Sequence, residues 1–244
     1  MLIQGLQTEV TFRRTLKLLI WLPLFPGSSA VEQATVNRLA GGSNPSRGAI
    51  YSNKITICEA QQMLLDTPIC DFGWQATSFD LATPEGLRHS LASLMGENGL
   101  LIAFICNHCP YVKAVIDRLV ADSQQLQEAG ITIVAISAND YQAYPEDSLP
   151  RMAEFARQHN FAFPYLIDET QAVARAYGAV CTPDFFGLNK QGQLQYRGRL
   201  DDAKMGAASG RRAELLEAML QIAKTGTGPA EQIPSMCCSI KWRG

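Results

Sequence analysis

The 244-residue sequence has no excess of basic charge: 21 Lys and Arg stand against 23 Asp and Glu, for a formal net charge of −2. The basic residues are scattered, so no field is present to hold nucleic acid or an anionic lipid surface, and neither is expected as a partner. Long apolar runs are also missing. None approaches the roughly 18 residues that mark a membrane helix. Histidine is scarce, with three in the chain. A single C-x-x-C is present without a second one or an H-x-x-x-H, so the four ligands of a structural zinc site are not assembled, and no metal or other cofactor is expected. No internal repeat is visible. The seven cysteines are too few and too irregularly spaced for a small disulfide scaffold. What is left is 47% apolar and 18% charged residues, an ordinary composition for a globular chain with a real core.

The first sixty residues read differently from the rest. Arg13, Arg14 and Lys17 lead into an apolar stretch at 16–25, and Ser28-Ser29-Ala30 follows, the order of a signal peptide. Residues 27–49, however, lack helical or strand periodicity and are rich in Gly, Ser and Asn. Gly27-Ser28-Ser29, Thr35-Val36-Asn37 and Gly42-Ser43-Asn44-Pro45 can be encoded by the D-arm, asparagine anticodon loop and T-arm of a transfer-RNA gene, in the correct order. The expectation is that residues 1–62 are an irregular or spurious extension and that translation begins near Met63. The alternative is a disordered linker after a genuine signal peptide.

Beyond that segment, apolar periodicity predicts an α/β chain. Residues 79–81 alternate as a short strand, and 89–95 predict one or two helical turns. Residues 100–105 (LLIAFI) and 131–137 (ITIVAIS) are continuous apolar runs, as buried central strands should be. Between them, 111–129 is an amphipathic helix with Val112, Val115, Ile116, Leu119, Val120 and Leu126 on one face. Lys113, Asp117, Arg118 and Asp122 fall on the other. A helix over 149–159, a strand over 163–167, a short helix over 169–177, a hairpin over 184–199 and a final helix over 211–224 complete the pattern. The closing hairpin makes the sheet mixed. The expected division is a domain over 63–228 and a tail over 229–244.

Cys106-Asn107-His108-Cys109-Pro110 stands at the junction of the first buried strand and the amphipathic helix. A C-x-x-C in that context is a redox dithiol. The helix N-terminus would stabilise a thiolate at Cys106, the expected attacking sulfur, and His108 would add positive charge. Cys109, one turn in, is the expected resolving sulfur. Pro110 suits the first helical turn, where its missing N–H is not needed.

From residue 65 to 243 the chain resembles the AhpC/TSA-type redoxin branch of the thioredoxin-like superfamily. The motifs that carry the resemblance are Asp66-Thr67-Pro68-Ile69-Cys70-Asp71-Phe72-Gly73-Trp74, FICNHCPYV at 104–112, Ser137-Ala138-Asn139-Asp140, YGAVCTPDFF at 177–186 and CSIKW at 238–242. The resemblance implies a thioredoxin-like fold with a central mixed sheet flanked by helices. It also implies a cis peptide at Thr182-Pro183 beside the dithiol, with Pro183 in the catalytic set and Thr182 binding substrate. The same loop would bring Cys181 near the dithiol, as a third redox thiol or as a small buried hydrophobe. Cys238, in the expected tail, is either a resolving thiol or an uninvolved surface one. Cys237, where relatives tend to have Gly, is taken as incidental, and Cys58 and Cys70 as structural. Asp201-Asp202 reads as a solvated loop, His89 and His159 as surface residues on helices, and Arg197 and Arg199 as belonging to a half-exposed strand.

Three functions compete. The first is thiol–disulfide exchange on protein or small-molecule disulfides and thiols. The second is a peroxiredoxin-like thiol peroxidase acting through Cys106. Peroxiredoxins of the superfamily resemble P-x-x-x-T-x-x-C with a nearby Arg, and residues 103–107 offer no such Pro or Thr. The third is a soft-metal carrier, because Cys-x-x-Cys-Pro also resembles copper-handling relatives of the fold and thiolates suit Cu(I). Those relatives have a longer Cys spacing and a distal His with no counterpart here. The expected compartment is the cytoplasm, or the periplasm or exterior if the N-terminal segment is a signal peptide.

Overall fold

The computed structural model describes residues 64–244. The expectations for residues 1–62 and for Cys58 lie outside the described residues. Ten strands and five helices are assigned among the described residues. In chain order they are β1 Leu64–Asp66, β2 Asp80–Ala82, β3 Arg88–Ser90, α1 Leu91–Leu94, β4 Gly99–Phe104, α2 Pro110–Glu128 and β5 Ile131–Ser137. Then come α3 Leu149–Gln158, β6 Tyr165–Ile167, α4 Ala172–Ala176, β7 Cys181–Thr182, β8 Asp184–Leu188, β9 Leu194–Tyr196, α5 Glu214–Thr225 and β10 Met236–Ser239. A single 3-10 turn, Pro145–Asp147, precedes α3.

Seven strands form one mixed sheet in the order β3-β2-β6-β5-β4-β8-β9. β4, β5 and β6 run parallel, and β8 returns antiparallel to β4. Alternation along β4 divides the core into two layers. Leu101, Ala103 and Ile105 join Ile131, Ile133 and Ala135 of β5 under Val112, Ile116 and Leu119 of α2. Leu100, Ile102 and Phe104 point the other way, toward Val134, Ile136, Tyr177 and Phe186. Because both faces are covered, these strands read as unbroken apolar runs rather than as alternating ones. The expected central mixed sheet flanked by helices is thus present.

Several expectations need correction. The segment after residue 228 is not a loose tail: β10 pairs antiparallel with β1 and with β7 in a second sheet of order β1-β10-β7. The domain therefore reaches the last residues of the chain. His89 lies on strand β3, paired with Leu81, and not on a helix. Asp122 is buried on α2 and bonded to Arg211. Asp201 is buried between Arg118 and Arg211 rather than solvated. Arg197 is buried against Asp184, with its guanidinium over the Phe186 ring. Arg199, by contrast, is half-exposed as expected, and is bidentate to Glu214. His159 caps the C-terminal end of α3, half-buried against Phe155 and bonded to Asp117. For Asp122, Asp201 and Arg197, charge pairing allows a polar side chain to occupy a buried site that its sequence pattern assigns to solvent.

Candidate active site

β4 delivers the C-x-x-C at the sheet's edge of the core, and α2 begins at Pro110. Proline opens the helix because its fixed φ is helical and the N–H it lacks would find no intrahelical partner. Cys109 is the N-cap, its side chain makes no hydrogen bond to the first turn, and Cys106 stands three residues before it.

Both sulfurs are closed to solvent, with Cys106 at 1% and Cys109 at 0% relative exposure. They converge on Thr182, the residue before Pro183, and the Thr182–Pro183 peptide is cis. Cys106 Sγ lies 3.3 Å from Thr182 Oγ1, and Cys109 Sγ donates to the Thr182 carbonyl at 3.1 Å. Of the five residues expected to form the site, four, Cys106, Cys109, Thr182 and Pro183, are therefore brought together.

His108 is placed otherwise. Its Nδ1 is 2.8 Å from Asp147 Oδ2, and its ring stacks on Tyr144 with centroids 5.4 Å apart. The charge that reaches Cys106 is the Asp147 carboxylate. Burial, then the interaction with Cys109 and then this negative charge push the Cys106 thiol well above the ordinary range, the opposite of the effect expected from His108. Cys109 is held down instead. Its interaction with Cys106 and then with Cys238 has this effect.

Asp147 is the site residue that no sequence pattern marks. It is fully buried at the end of the 3-10 turn. Its Oδ1 accepts from the Asn107 backbone N–H at 2.8 Å, and its Oδ2 accepts from Asn139 Nδ2 at 2.8 Å as well as meeting His108. Asn107 is further held by its Nδ2 donating to the Glu146 carbonyl and by Tyr165 OH donating to its Oδ1. Asn107 and His108 lie in the FICNHCPYV motif and Asn139 in the Ser137-Ala138-Asn139-Asp140 motif, so these members carry a sequence signal.

The accessory cysteines are also rearranged. Cys181 is bonded to Cys237 in a disulfide with Cα atoms 5.5 Å apart, so it is not a free third thiol and Cys237 is not incidental. Cys238 is a buried thiol on β10 rather than a surface group on a tail. Cys70 is half-buried and remains a free thiol that burial pushes up to about 11. Cys106, His108 and Asp147 offer ligand atoms within 4.8 Å of one another. The Asp147 oxygens are nevertheless already occupied by protein donors, and a metal ion would have to displace them. A cleft of about 450 Å³ opens beside Pro183 and Tyr111, with Phe185, Leu200 and Met236 in its walls.

A model of the AhpC/TSA family matches residues 72–197. An uncharacterized conserved protein from Geobacillus kaustophilus is 38% identical, with a TM-score of 0.69 over 74% of this chain and 96% of its own. A hypothetical protein from Sinorhizobium meliloti is 36% identical, with a TM-score of 0.68 over 73% of this chain and 98% of its own. The thiol-disulfide oxidoreductase ResA of Halalkalibacterium halodurans is 28% identical over 129 residues, 53% of this chain and 69% of that protein.

Proposed function

Since the chain belongs to the AhpC/TSA family of thiol redox enzymes, we propose that it is a thiol–disulfide oxidoreductase cycling a Cys106–Cys109 disulfide. The observation that carries this reading is the convergence of both sulfurs on Thr182, one on its hydroxyl and one on its carbonyl. The Cys109 S–H donates to the Thr182 carbonyl, and once Cys106 loses its proton the Thr182 hydroxyl stabilises the thiolate. Cys106 attacks one sulfur of a substrate disulfide, and the other leaves as a thiolate. Cys109 then attacks Cys106 Sγ, releasing the second substrate thiol and closing the Cys106–Cys109 bond. The reverse sequence oxidises a dithiol.

The test is reduction of a peptide disulfide by the reduced protein under anaerobic conditions. Cys106→Ser is expected to abolish turnover by at least roughly 100-fold, a loss of more than about 2.7 kcal/mol of transition-state stabilisation. Cys109→Ser is expected to accumulate a mixed disulfide on Cys106. Turnover that survives Cys106→Ser sinks the reading. Peroxide consumption with a thiol donor, and stoichiometric copper on the purified protein, would each favour one of the two alternatives. For the compartment we keep the cytoplasm. Acid-quenched thiol trapping tests it, because a Cys181–Cys237 bridge fully formed in intact cells argues for oxidising surroundings.

A further inference from the structure

Cys238 is buried at 2% relative exposure in the same core layer as Cys106 and Cys109. It sits on β10 directly opposite Thr182 of β7, the residue that touches both sulfurs of the dithiol. Its side chain shares the strand face on which the Thr182 hydroxyl meets Cys106 Sγ, and its thiol is pushed up first by its interaction with Cys109. A cysteine used only as a small core hydrophobe would be surrounded by carbon. This one is buried opposite the residue that both redox sulfurs touch. Successive side chains of a strand point to opposite faces, so Cys237 faces away from Cys238 and bonds to Cys181 instead. That bridge ties β10 to β7 and fixes the register that sets Cys238 against Thr182.

We propose that Cys238 is a third redox thiol of the centre, exchanging into the Cys106–Cys109 disulfide at Cys109. The inference rests on the dithiol reading above. Cys238 Sγ attacks Cys109 Sγ, the Cys109–Cys238 bond forms, the Cys106–Cys109 bond breaks, and the proton of Cys238 ends on Cys106. Two electrons' worth of oxidation is retained throughout, so no external oxidant or reductant takes part. The oxidised protein then exists as two disulfide isomers, and in one of them Cys106 is a free thiol. An oxidised molecule can thus attack a further disulfide before it has been reduced.

The test uses the full chain. Cys106→Ser, treated with diamide at a dose that fully oxidises the wild type, is acid-quenched, alkylated and mapped by tandem mass spectrometry. Fragmentation between residues 237 and 238 assigns the partner of Cys109. An intramolecular Cys109–Cys238 disulfide is expected as the main product. Recovery of Cys109 and Cys238 as alkylated thiols, or of Cys109 only in intermolecular dimers, overturns the proposal. If Cys106→Ser lacks a cooperative thermal transition, oxidised wild type decides. A Cys109–Cys238 peptide at several per cent or more of the total supports the exchange, and its absence overturns it. Cys238→Ser separates the two readings. If it still forms Cys106–Cys109 while Cys106→Ser forms no Cys109–Cys238, only this inference fails. If no Cys106–Cys109 disulfide forms in wild type or in Cys238→Ser, the dithiol reading fails with it.

Discussion

Asp147 receives hydrogen bonds from the Asn107 backbone and from Asn139, and pairs with His108, while its charge reaches Cys106. Those two roles separate in Asp147→Asn, which keeps the shape and removes the charge. An amide has only one acceptor oxygen, so at least one buried donor loses its partner, at a cost of about 1–3 kcal/mol. Removing a negative charge beside a thiol lowers that thiol's pKa, because the thiolate is no longer repelled. The pH profile of Cys106 alkylation in the variant is therefore expected to move toward lower pH, while urea denaturation shows the loss of stability. A profile that is unchanged or moves to higher pH contradicts the electrostatic role. Asp147 was illegible in the sequence because an aspartate 41 positions beyond Cys106 in a Pro-Glu-Asp turn looks like any exposed turn acid. Cys106, Cys109 and Thr182 were legible because their spacing and flanking elements constrain them. The direction of the field on Cys106 was not, since it depends on where His108 turns.

At the level of elements, legibility follows burial. β5 was readable to the residue, and β4 and α2 to within one position at each end, since continuous apolar runs and a long 3.6-residue period leave little choice. β1, β7 and β10 were missed. They have three, two and four residues, and they exist through long-range pairing and the Cys181–Cys237 bridge rather than through any local pattern. Gly99 shows how a break in a sequence can be the opening of a strand. It begins β4 with φ +140°, and an added Cβ would lie 2.3 Å from the Leu188 carbonyl oxygen on β8. Backbone strain and a clash with main-chain atoms act together there, so Gly99→Ala is expected to destabilise the domain by about 2–4 kcal/mol. Thermal or urea unfolding measures this. A loss under about 0.5 kcal/mol, the usual range for neutral surface changes, would mean that β4 does not enter the sheet as described.

On the scale of the whole molecule, the loop between β9 and α5 is fastened to α2 by a buried charge network beside the apolar anchor Leu200. Arg118 of α2 is bidentate to Asp201 and also donates to the Gly206 carbonyl. Arg211 bridges Asp201 back to Asp122 of α2. Asp201 is the shared acceptor of two arginines and is itself almost fully buried. The same loop supplies Asp201, Lys204 and Met205 to the cleft beside Pro183, so its anchoring shapes the approach to the dithiol. Deleting one partner of a buried charge network leaves the others uncompensated, which costs about 3–5 kcal/mol. Asp201→Ala is expected to lose stability on that scale and to make the Lys204–Met205 bond the first site of tryptic cleavage under native conditions. Both follow from one cause: without the carboxylate, Arg118 and Arg211 must seek water and the loop must leave α2. A variant as stable as the parent, with no new cleavage at Lys204, would show that the loop is held by something other than this network, and that the cleft wall does not depend on it.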